Sequence, residues 1–75
     1  MEKLIKILEE IRPEFDFKNE GNFVDSGMLD SFDIITLVSD IEEQFSVTIS
    51  GIDVVPENFN NLSDILRLIE RSKQN

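Results

Sequence analysis

Apolar residues recur along the chain at helical spacing in three places. In MEKLIKILEEI, Leu4, Ile5, Ile7, Leu8 and Ile11 share one broad stripe, with Lys3, Lys6, Glu9 and Glu10 outside it. This predicts a first helix, stopped by Pro13, because the residue before a proline is pushed out of helical backbone space. From Ser31 to Phe45 the pattern is stronger. Ile34, Leu37, Val38, Ile41 and Phe45 fall within about 100° of one another on a helical wheel. Asp30 is a suitable N-cap for that helix, and Asp33 stands three positions on, among the free amides of the first turn. A last helix opens at Asn61 as cap, with Asp64 three positions later and Leu62, Ile65, Leu66 and Ile69 as its stripe. Arg67, Arg71 and Lys73 lie toward its C-terminal end, where cations are favoured.

The segments between differ in kind. Residues 14–30 contain Gly21, Gly27 and several Asp, Asn and Ser, yet also Phe15, Phe17, Phe23, Val24, Met28 and Leu29. A solvated linker would not carry so many apolar groups, so this long loop is expected to pack onto the core. Ser46-Val47-Thr48-Ile49 is β-prone but has no evident partner strand, which makes 46–55 an irregular connection. Pro56 suits a first helical position, and Pro56-Glu57-Asn58-Phe59 could form one short turn of helix. The pattern therefore predicts one all-α domain over 1–75, a four-helix bundle of three main helices and one short one.

Composition narrows the chemistry. The 75 residues include no cysteine, histidine, tyrosine or tryptophan, and the net charge is −9. Disulfides, thiolate nucleophiles and the commonest metal ligand and general base are thereby excluded, and no metal site is expected. Nucleic acid and anionic membranes should be repelled. Apolar runs are too short to span a bilayer, and the N-terminus is amphipathic, unlike a signal peptide, so a cytoplasmic monomer is expected. Residues 19–66 hold ten acidic residues and no Lys or Arg, which points to a basic partner surface. An EF-hand fits Asp16, Glu20 and Gly21 at loop positions 1, 5 and 6. It fails at Lys18 and Gly27, which stand at positions 3 and 12.

The informative string is GMLDSFD, residues 27–33, which sets a serine at the mouth of a helix with an aspartate on each side. Asp-Ser before an apolar run is ordinary capping by itself. Phe32, however, falls on the polar side of the wheel, and an exposed aromatic beside a serine among carboxylates invites a binding partner. Asp33 also lies on that polar side.

With these residues, the chain resembles the acyl and peptidyl carrier proteins of the phosphopantetheine-dependent family. The likeness runs through the first helix, the long loop, Asp30-Ser31-Phe32-Asp33, the helix ending IEEQF, SVTI, the PENF turn and the final helix. Locally, DSGMLDSF is similar to D-alanyl carriers and to stand-alone aminoacyl carriers. The resemblance implies a non-catalytic carrier with 4′-phosphopantetheine, donated by CoA, esterified to Ser31 and flanked by Asp30 and Asp33. It also implies partner recognition by the second helix, through Phe32, Ile35, Ser39, Glu42 and Glu43. The implied partners are a phosphopantetheinyl transferase, an acyl or aminoacyl ligase or adenylation enzyme, and an acyltransferase or synthase. Cargo is open among fatty acyl, aminoacyl and polyketide groups. An unmodified acidic interaction module is the alternative. The chemistry agrees with a carrier, since a serine without His or Lys beside it must be modified by another enzyme. A phosphodiester at a helix N-terminus is also tolerated.

Overall fold

The computed structural model describes residues 2–73. It contains three α-helices, α1 (Glu2–Ile11), α2 (Ser31–Phe45) and α3 (Leu62–Lys73). Two single-turn 3-10 segments, Gly51–Asp53 and Pro56–Asn58, lie between α2 and α3. No strand occurs among the described residues, so the fold is all-α as the pattern predicts.

The expected fourth helix is corrected: the chain at Pro56 makes only a 3-10 turn. Pro56 supplies no amide, the Phe59 N–H closes the turn on the Pro56 carbonyl at 3.0 Å, and the Asn58 side-chain amide donates to the Asp53 carbonyl at 2.7 Å. Phe59 is then drawn fully into the core, which ends the turn before a second one can form.

The helices form where their stripes can be buried. Leu4, Ile7 and Leu8 of α1, Ile34, Leu37 and Ile41 of α2, and Ile65, Leu68 and Ile69 of α3 meet in one core. Leu68 is fully buried although the α3 stripe read from the sequence omits it, while Leu62 and Leu66 are half-buried. The C-terminal end of α2 is closed by Ser46 in left-handed conformation at φ 55°, its N–H returning to the Glu42 carbonyl.

The long first loop packs onto this core. Phe17, Phe23, Met28 and Leu29 are buried, and the Phe17 and Phe23 rings meet edge to face with centroids 5.0 Å apart. Its backbone is held by one distant residue, Asn60. The Phe23 N–H donates to the Asn60 carbonyl at 2.8 Å, and the Val24 and Asp25 N–H groups donate to its side-chain oxygen at 2.9 and 3.2 Å. The loop thus arrives at Asp30 along a fixed path, and this presents the start of α2 in a defined place.

Candidate functional site

Asp30 occupies the N-cap of α2 with extended backbone, and its Oδ1 accepts the Asp33 N–H at 2.9 Å. In return the Asp30 N–H donates to Asp33 Oδ2 at 3.1 Å, completing a reciprocal capping box. Ser31 is the first residue of α2 and is exposed. The cap read from the sequence is therefore present, and it places the exposed serine at the N-terminal mouth of the helix.

A third residue, which the sequence reading left unassigned, completes the arrangement. Arg12, one residue beyond α1, donates from Nε to Asp33 Oδ2 at 2.8 Å. Its Nη2 lies 3.3 Å from Asp30 Oδ2, and its Nη1 lies 3.4 Å from Glu14 Oε2. Asp33, expected on the open polar side, is instead covered, with its side chain 13% exposed against 56% for Asp30. The Arg12 pKa is raised, first by the Asp33 hydrogen bond and then by its charge. Asp30 is held below its ordinary carboxylate pKa, chiefly by the Asp33 backbone N–H, which outweighs the opposing desolvation, with the Arg12 charge adding a lesser lowering. No signal along the chain predicts Arg12, because its partners lie 18 and 21 residues away.

Beside Ser31 runs a shallow groove of about 240 Å³, lined by Ser31, Ile34, Ile35, Val54 and Pro56. Its walls are mostly apolar side chains from α2 and from the connection to α3. A polar depression of similar size, lined by Lys3, Lys6, Ile7, Glu10 and Gln44, lies toward the C-terminal end of α2, away from the serine. Ile35 of this groove is 64% exposed, and Phe32, next to Ser31 in the chain, is 79% exposed. Ile52, which the sequence reading did not single out, is the most exposed large apolar residue, at 86%.

The phosphopantetheine attachment site family matches this chain over residues 2–69, all of α1 and α2 and most of α3. The chain belongs to this family. The aminoacyl carrier protein 1 of Bradyrhizobium diazoefficiens is 34% identical over 68 residues, which cover 89% of this chain and 74% of that protein. No solved structure matches. The protein is accordingly an acyl carrier that bears covalent 4′-phosphopantetheine and is not itself catalytic. Membership sets aside the unmodified interaction module.

The residues of the carrier fit such a group. An exposed serine hydroxyl stands at a helix N-terminus, which accommodates an anion, and an apolar groove adjoins it. Of the expected partner-binding side chains, Phe32, Ile35, Ser39 and Glu43 are exposed on α2. Glu42 is not free in the same way. It is half-buried, and its Oε2 accepts the Ile49 N–H at 2.9 Å, so it fastens the segment after α2 onto the helix. Among the described residues, no helix is long and apolar enough to cross a membrane.

Proposed function

We propose that Ser31 is the attachment residue of this carrier and that its cargo is an aminoacyl group. The observation that carries the first part is the exposed hydroxyl at the first position of α2, framed by the Asp30–Asp33 capping box and adjoined by the groove. Neither flanking carboxylate is well placed to act as a base, since Asp33 is covered and ion-paired with Arg12, and Asp30 is made a weaker base by its lowered pKa and has Oδ1 engaged by the Asp33 N–H. Ser31 therefore accepts its modification from another enzyme. Once bound, the group supplies a terminal thiol that holds the acyl unit as a thioester, a function no side chain of this chain can provide without cysteine.

The chain's own residues position and present. A phosphodiester on Ser31 would sit at the N-terminal end of α2, where the helix dipole favours an anion, and Ile34, Ile35, Val54 and Pro56 line the apolar path beside it. Phe32 and Ile35 offer apolar anchors to the transferase, the loading ligase and the receiving acyltransferase or synthase. Glu43 and the other exposed acids steer those partners if their docking faces are basic. An aminoacyl cargo is supported by the local string DSGMLDSF and by the aminoacyl carrier relative. The working compartment is the cytoplasm, and the carrier works as a monomer.

The test is modification with CoA, Mg²⁺ and a broad-specificity phosphopantetheinyl transferase, read by intact mass. One pantetheinyl group should be added, and Ser31→Ala should abolish the addition. Modification that persists in the variant, or maps to Ser26 or Ser39, refutes the site. The loaded carrier is then offered to amino-acid and fatty-acid ligases; acylation by the fatty-acid ligase alone refutes the cargo.

A further inference from the structure

Arg12 is, among the described residues, the one cation in ion-pair contact with Asp30 or Asp33, the two carboxylates that bracket Ser31. We propose that Arg12 is a positioning residue for the loading of Ser31, holding both flanking carboxylates compensated so that an anionic phosphoryl donor can reach the hydroxyl. The inference rests on the reading of Ser31 as the attachment residue. In loading, the Ser31 Oγ–P bond forms and the P–O bond to adenosine 3′,5′-bisphosphate breaks. The hydroxyl proton passes to a base of the transferase. CoA brings a pyrophosphate to this point, and the product keeps a phosphodiester charge there.

That charge arrives on a protein of net charge −9, next to one carboxylate on the adjoining residue and another two positions on. Asp30 is ionised at neutral pH like any carboxylate of ordinary or lowered pKa, so its charge is offset by the Arg12 cation 3.3 Å away. The planar guanidinium directs Nε and Nη2 at separate carboxylates, Asp33 at 2.8 Å and Asp30 at 3.3 Å. A lysine at this position could supply the charge but not the two-pronged geometry. Arg12 also comes from the end of α1, so the compensation exists only when α1 is docked beside α2.

The experiment is a cycle of four carriers, wild type, R12Q, D30N and R12Q/D30N, each checked for helix content and assayed for transferase kcat/KM. Asparagine remains a good N-cap, so D30N removes charge and keeps the turn. R12Q should lower kcat/KM about tenfold, as expected for an uncompensated charge on the residue adjoining the reacting serine. In the D30N background the same change should cost less than about threefold, because half of the charge Arg12 offsets has gone. The R12Q defect should shrink in high salt, and R12K, which keeps the charge without the fork, should recover the rate only in part. A purely structural tether of Arg12 to Asp33 would cost the same in both backgrounds. Equal costs, a wild-type rate in R12Q, or an R12Q chain that has lost its helices each overturns the proposal. Ser31→Ala is run alongside: loading that persists there defeats the attachment reading, whereas abolition there with an unaffected R12Q defeats the Arg12 inference alone.

Discussion

Glu42 is the residue whose removal distinguishes a folding role from a docking role on α2. Its carboxylate accepts the Ile49 N–H at 2.9 Å, and Ile49 itself is buried, at 7% exposure. Glu42→Ala leaves that amide without a partner beside the core, and an orphaned donor of this kind costs about 1–3 kcal/mol. Glu42→Gln keeps an oxygen in place and loses only the charge assistance, which should cost under about 1 kcal/mol. A domain of 75 residues has a total stability of roughly 4–11 kcal/mol, so the alanine change removes a large fraction of it. At about 4–8 °C per kcal/mol for a domain this small, Glu42→Ala should lower Tm by roughly 5–20 °C. The glutamine variant should melt within a few degrees of wild type. Circular dichroism melts of the three proteins, repeated by urea titration, provide the assay. If both variants melt together, or Glu42→Ala melts like wild type, the hydrogen bond contributes nothing and Glu42 reverts to a surface acid.

Three further outcomes are expected. Leu37 is fully buried, so Leu37→Ala should cost about 2–5 kcal/mol, whereas Phe32→Ala at 79% exposure should shift stability by less than about 0.5 kcal/mol and slow loading instead; paired melts and transferase kinetics check this. Asp30 has a folded pKa below its ordinary value of 3.8, so the folded chain binds fewer protons here. Its contribution is full above that ordinary value and is lost as pH falls through the lowered one, so acid titrations should show a shallower loss of stability below about pH 4 in D30N than in wild type. Finally, Asn60→Ala removes the acceptor of two loop amides and should raise hydrogen exchange at Val24 and Asp25 more than within α2; equal exchange in both proteins would show that the loop is held by its phenylalanines alone.

The elements with local periodicity were legible. The stripe of α2, the cap at Asp30 and the cap at Asn61, whose Oδ1 accepts the Asp64 N–H at 2.8 Å, all depend on residues within a few positions of each other. The outward turn of Phe32 follows from the same wheel that buries Leu37. Polar side chains that act across the fold escaped this reading. Glu42 stands beside the apolar stripe, and its inward turn depends on an amide seven residues further along the chain. A linear count finds no cation in 19–66, yet Arg12 reaches Asp30 and Asp33, and Arg71 reaches Asp53 at 3.4 Å. Such pairings have no period, and only the docking of helices brings them together. The short fourth helix was over-read for a related reason. Proline at a helix start is a local signal, but the burial of Phe59 that cuts the turn short is not.

Asn60 also bears on the order in which the chain can acquire its structure. The amides of Val24 and Asp25 wait for an oxygen 36 and 35 positions downstream, and the Phe23 amide waits for the carbonyl of the same residue. The periodic patterns of α1 and α2 are complete by residue 45, whereas the loop joining them closes only after that late asparagine has arrived. Closing so wide a segment carries an entropic cost that must be met before its contacts reward it. On the ribosome, a nascent chain halted before Asn60 would display helices with an unsettled serine-bearing end. The start of α2 therefore becomes a fixed target for a modifying enzyme only once Asn60 has been made and has joined the fold.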